Sequence, residues 1–202
     1  MRWVPPALLV LVWAGLVIAS GGSPWSAAGS QFMLMATVGC WLTVAVGNVD
    51  DAPHRELLVA AAGSAARLHT SRALAAATIG GVVAVATALL AAVATGCAPQ
   101  QPCPPFKLAA DTPSLVALEI AGVLVGVAIG TFLHRPVVGH LGVTTLVAVA
   151  SLIALIVVEP TRDLLGRFGR GDATAGYLAV ALAVPVAAVA VAAASRLAVR
   201  RT

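Results

Sequence analysis

Apolar residues gather in six stretches along this chain, at 4–20, 30–47, 73–95, 114–133, 141–158 and 177–194. An α-helix needs about 20 predominantly apolar residues to cross the hydrocarbon core of a bilayer. Each stretch meets that length or comes close enough for local thinning to make up the difference. None carries Lys or Arg in its middle. The pattern predicts an all-α integral membrane protein, a single transmembrane domain over residues 1–202 with six spans. The first stretch also has features of a signal peptide, with Arg2 ahead of it and the small residues Ala19 and Ser20 at its end. It is taken as a span.

Composition narrows this reading. Only 10% of the residues are charged and 60% are hydrophobic, against about 25% charged in a soluble domain. Disorder is excluded as well, because disordered segments are poor in apolar residues. Six spans leave short loops and no room for a large soluble domain. Of the twelve basic residues, Lys107 is the only Lys. With so much Ala and Val, that usage points to a GC-rich bacterial genome and so to a bacterial plasma membrane.

Charge then gives the chain an orientation, because basic residues collect on the cytoplasmic side. One side of a six-span arrangement holds Arg2, Arg55, Arg67, Arg72, Arg135, Arg196, Arg200 and Arg201. The other holds Lys107, Arg162, Arg167 and Arg170. Asp50, Asp51 and Glu56 join the first group, which nets +5; the other five acids fall opposite, for a net of −1. Both termini are therefore expected in the cytoplasm. The chain shows no nucleic-acid-binding signature.

The longest cytoplasmic segment follows the second span. Asp50 or Asp51 is a good N-cap and Pro53 suits a first helical turn. Leu57, Leu58 and Ala61 supply an apolar stripe. Gly63 suits the end of that helix, and Ser64 the cap of a second one running into the third span. A short amphipathic helix at the membrane surface is expected, either as a plain connection or as a docking element.

In this arrangement the chain resembles a permease subunit of the ABC-2 type transporters. The matching residues are Asp50, Asp51, Glu56, Leu57, Leu58, Gly63, Ser64, Arg67 and Arg72, together with the six-span pattern. The match is weaker ahead of the first span, which only three residues precede, and between the fifth and sixth, where 159–176 is short for the outer hairpin of that family. The resemblance implies a coupling helix between spans two and three, touching a cytoplasmic ATPase. It also implies a smaller second contact at the turn holding Arg135, which otherwise reads as a tight turn with a snorkelling Arg. The chain has no G-x-x-x-x-G-K-[ST] loop to cradle phosphates. ATP and Mg would therefore sit on a separate ATPase subunit. This chain would be a transport subunit, not an enzyme, paired with a like or unlike second permease and bathed in membrane lipid. Spans without buried basic charge favour a hydrophobic or amphipathic substrate, exported by alternating access.

Other residues carry their own expectations. Cys97 and Cys103 fall in a Pro-rich outer loop, where an oxidising compartment favours a disulfide. The rival is a redox-active pair, which would make the chain a thiol–disulfide oxidoreductase. A non-catalytic assembly subunit is the third alternative. Cys40 reads as a small packing residue. His54, His69, His134 and His140 all fall at the cytoplasmic edge, so a buried bis-histidine haem site is not available. Gly122, Gly126 and Gly130 recur every four residues, which puts them on one helix face and permits close helix packing, within the chain or against a second copy. Glu119, an acid within a span, is a candidate for the substrate path, or else simply reaches the outer interface. In 159–172, Leu164, Leu165 and Phe168 share one side of a segment suited to lying flat at the outer surface. Pro185 interrupts the sixth span.

Overall fold

The computed structural model describes residues 28–48, 52–95, 105–133 and 159–199, and residues 150, 151 and 154 besides. Six helices account for nearly all of these. They are α1 (Ala28–Gly47), α2 (Ala52–Ala62), α3 (Ala65–Thr95), α4 (Pro105–Leu133), α5 (Glu159–Gly169) and α6 (Thr174–Val199). Four are long and apolar enough to cross a membrane, over Gly29–Gly47, Ala65–Ala91, Thr112–Leu133 and Thr174–Leu197. They coincide with the second, third, fourth and sixth apolar stretches. The expected spans at 4–20 and 141–158 lie outside the described helices, as do Asp50, Asp51, Cys97, Cys103, Arg135, His134 and His140.

Two boundaries differ from the expectation. The helix of the fourth span begins at Pro105, nine residues before Ser114. Lys107 and Asp111 made that segment read as loop. Yet Pro105 sits at the first helical position, where its missing N–H is not needed. Pro113 lies inside the helix and is exposed. The third span is likewise part of one continuous helix from Ala65.

Local chemistry explains the breaks between helices. Gly63 adopts φ 75°, which ends α2. Ser64 Oγ accepts the Arg67 N–H at 3.2 Å and caps α3. After α5, Asp172 N donates to Arg167 O at 3.2 Å and Gly171 N to Phe168 O at 2.8 Å. With Gly171 at φ 88°, this is the paired closure of a Schellman turn. Asp172 then opens α6. Its Oδ1 accepts the Thr174 N–H at 3.0 Å, and its Oδ2 accepts Arg167 Nη2 at 2.8 Å and Nε at 3.0 Å.

The hydroxyl of Thr174 and then the Arg167 guanidinium hold the Asp172 carboxyl below the usual carboxylate range. A folded value lower than the unfolded one gives stability that is present above the unfolded value. That stability is lost as pH falls through the folded value. Acid should therefore loosen the α5–α6 corner, and Asp172→Asn should remove the dependence. Amide protection at residues 169–176, corrected for the intrinsic exchange rate, measures this. Wild-type protection that does not change with acid would defeat it.

Helix α4 is the centre of the bundle, with α1, α3 and α6 packed around it. A Cβ built on Gly126 would lie 2.0 Å from Ala36 O and 2.7 Å from Cys40 N. At Gly122 the nearest atoms are Phe32 O and Met35 Cβ, and at Gly130 they are Thr43 Cβ and Cys40 O. The glycine face of α4 thus packs within the chain, on the small residues Ala36, Gly39, Cys40 and Thr43 of α1. Matching residues increase together, so α1 and α4 run parallel. Gly80 of α3 faces Val123 and Leu42, and Thr87 of α3 reaches Met35 and Glu119. Helix α3 therefore runs antiparallel to both.

Large apolar side chains point outward from the two flanking helices. Leu74, Val82, Leu89 and Leu90 of α3 and Leu182, Val184, Val186 and Val189 of α6 are exposed. Inside are small and polar residues: Gln31, Thr43, Thr87, Ser114, Glu119 and Thr131 are buried. They lie beside the large apolar side chains that α1 and α4 bury, such as Phe32, Met35, Leu118 and Val123, whereas α3 and α6 turn mostly alanines inward. Small residues facing neighbours with bulky ones outside, as on α3 and α6, is the distribution expected in lipid, where apolar surface has no reason to hide.

Candidate functional site

Two places in this fold carry candidate function. The first is α2. Among the described elements its only neighbour is α3. Glu56, Leu57 and Leu58 are exposed, Leu57 at 69%. A leucine so uncovered on an 11-residue helix is not there to build this bundle. The two-residue break at Gly63 and Ser64 joins α2 directly to the long helix α3. Arg67 is exposed on the first turn of α3, while Arg72 is partly buried. His69, placed by the sequence at the cytoplasmic edge, lies between them in sequence and is buried.

The second place is the buried acid. Glu119 has no exposed surface at all, so it does not reach the outer interface. Its Oε2 is hydrogen-bonded to Thr87 Oγ1 of α3. Thr87 Oγ1 also lies 2.9 Å from Val83 O, 3.0 Å from Ala84 O and 3.9 Å from Met35 Sδ of α1. The three central helices thus meet at one hydroxyl. Glu119 Oε1 has no hydrogen-bond partner among the described residues, and neither side-chain atom of the wholly buried Gln31 has one. Gln31 lies one turn before Met35 on the same face of α1. In the parallel register of α1 and α4 it is level with Glu119.

Such a cluster is costly to keep. An ionised acid at the centre of a membrane helix costs about 2.5–3.5 kcal/mol on insertion scales. Unpaired buried amides cost about 1–3 kcal/mol. Of this cluster, the sequence pointed to Glu119 alone. Gln31 was visible as the amide at the head of the second apolar stretch. Thr87 was one threonine among several, and only the register of α3 against α4 selects it.

The glycine stripe and Cys40 have structural roles. Cys40 is buried against Gly126 and Gly130, as a small packing residue. Phe168 of α5 is buried over Gly176, with Leu164 and Leu165 half-buried beside it. The apolar side foreseen for this segment is thus turned onto the bundle.

Comparison of the chain with protein-family models, with curated proteins and with solved structures finds no match in any of the three.

Proposed function

We propose that this chain is the membrane-spanning permease subunit of an ATP-driven transporter of the bacterial plasma membrane. Helix α2 receives the motion of a separate ATPase chain. The exposure of Leu57 beside Glu56, on a short capped helix fixed to the foot of a spanning helix, carries this reading. A mobile partner can grip an apolar side chain flanked by a carboxylate, and the short break at Gly63 passes the push into α3. Because α3 borders α1 and α4 along their length, its displacement opens the centre of the bundle. A hydrophobic or amphipathic molecule is the substrate, exported by alternating access between paired permeases.

Helix polarity is consistent with six spans, and the basic residues then favour both termini inside. Gly176, at the start of α6, lies against Ser114, near the start of the spanning part of α4. A chain that leaves α4 at its far end and begins α6 at the near one fits the proposed span at 141–158, a stretch with the apolar length for it; the proposed span at 4–20 completes six.

Purification of the tagged chain, expressed with its genomic neighbours, tests the reading. A P-loop ATPase should accompany it. Truncating a hot-spot residue at the centre of an interface costs about 2 kcal/mol or more, so Leu57→Ala with Glu56→Ala should weaken that association at least about tenfold. Recovery of complexes without any nucleotide-binding partner would end the proposal. Unchanged association of the double variant would remove α2 from it.

A further inference from the structure

We propose that Glu119 is a proton-binding site inside the bundle: its carboxyl group holds a proton on Oε2 and donates it to Thr87 Oγ1. Hydrogen counting on Thr87 leads there. A hydroxyl has one hydrogen to give and two lone pairs to receive. Thr87 Oγ1 lies within bonding distance of Val83 O and Ala84 O on its own helix, as well as of Glu119 Oε2. If the carboxyl is ionised, that single hydrogen is the one donor it has among the described residues, because Oε1 has none and the side chain is wholly buried. A neutral acid needs no donor at Oε2 and leaves the hydrogen of Thr87 to its own helix. Glu119 donates to Thr87, and Thr87 donates its own hydrogen to the carbonyl of Val83.

Among the described residues the surroundings supply no other counter-charge. On α1 the one titratable side chain is Cys40, buried two turns further along against Gly126 and Gly130. On α3 the cations and His69 stand at the other end of the helix, with Arg72 the nearest of them in sequence. The 15 residues from there to Thr87 span roughly 22 Å at 1.5 Å per residue. On α6, Tyr177 and Arg196 are exposed. Helix α5 carries its charges at the surface, where Arg167 is engaged by Asp172. On α4 itself the nearest ionisable residue is Asp111, two turns earlier. Among the described residues a proton is thus the one cation at hand for this carboxylate, and it is the one that needs no cavity.

The unbonded atoms indicate where the proton leaves. Glu119 Oε1 and the Gln31 amide are the polar groups left over at one level of the bundle, and they are the natural partners for water entering there. When α3 draws away from α4, Thr87 is withdrawn and the carboxyl is wetted. The proton then passes to water and the carboxylate remains. Only this release step rests on the transporter reading; the resident proton does not depend on it.

Infrared spectroscopy of the full chain in lipid vesicles at neutral pH tests the site. The seven other acids in the sequence provide an ionised background. A carbonyl stretch of a neutral carboxylic acid is expected in the wild type and should be lost in Glu119→Gln. Thr87→Val, which removes the acceptor, should move that band to higher frequency. A wild-type spectrum without the band would overturn the proposal, as would a band that survives in Glu119→Gln. A band unmoved in Thr87→Val would overturn the assigned acceptor. None of these results requires an ATPase, so failure to find one leaves the site standing.

Discussion

Gly126→Ala should destabilise the fold strongly, although it adds one methyl group. The new Cβ would lie 2.0 Å from Ala36 O and 2.7 Å from Cys40 N. Both are backbone atoms of α1, so no side chain can swing away to relieve the clash. The helices must part by more than an ångström, and every neighbouring contact in the seam loosens with them. Overpacking a rigid core usually costs about 1–3 kcal/mol and at times more; a backbone-on-backbone clash belongs at the top of that range, about 3 kcal/mol. Gly81→Ala provides the comparison, because nothing lies within 4 Å of a Cβ there. In a helix interior alanine is better than glycine by about 0.8–1.0 kcal/mol, so this change should be neutral or stabilising. Detergent-induced unfolding of the purified variants would show it. Equal effects at the two positions would mean that α1 and α4 do not meet at Gly126.

Phe168→Ala should release α5 from the bundle. The ring is 1% exposed. It lies in a notch left by Gly176, where a Cβ would be 3.2 Å from the ring and 2.3 Å from Ser114 O. Replacing a buried phenylalanine by alanine costs about 3–5 kcal/mol. Helix α5 is short and its other anchors, Leu164 and Leu165, are only half-buried. Most of the loss should appear as local opening. Trypsin cuts after arginine, and Arg162, Arg167 and Arg170 report on this segment directly. At 1.4 kcal/mol per factor of ten, cleavage there should quicken by about a hundredfold while the four long helices stay resistant. Cleavage at the wild-type rate would show that the side chain does not hold α5 down.

The long helices and their breaks could be read in advance because each depends on local chemistry. Gly63 and Ser64 announced one helix end and the next beginning, and both caps form as foreseen. The four-residue glycine spacing announced a packing face but not its partner. In an alanine-rich chain, Ala36, Gly39, Cys40 and Thr43 look no smaller than their surroundings, so the matching face of α1 gave no signal. Glu119 is legible as an acid within a span, but its depth is not, for one reason. Polar residues at 105–113 made the helix seem to start late, which left Glu119 near an end. The helix starts nine residues earlier, and the register it sets against α3 carries the acid into the interior opposite Thr87. The exposure of Leu57 was similarly unreadable, because an apolar stripe in sequence says nothing about whether another element covers it.

The parallel seam between α1 and α4 also bears on how the protein is made. Neighbouring helices in a membrane bundle are often consecutive in sequence and antiparallel, whereas this tightest pairing joins Cys40 to Gly126 across 86 residues. At about 5–20 residues per second, synthesis of that interval takes roughly 4–17 s. Throughout that time α1 is complete while its groove of small residues stands empty and Gln31 has no bundle around it. A chain stalled after α3 would present the same unfilled groove to lipid. Helix α4 closes the centre on α1 and α3 and is also the surface on which α6, made later, packs, so assembly is all but withheld until α4 has entered the bilayer.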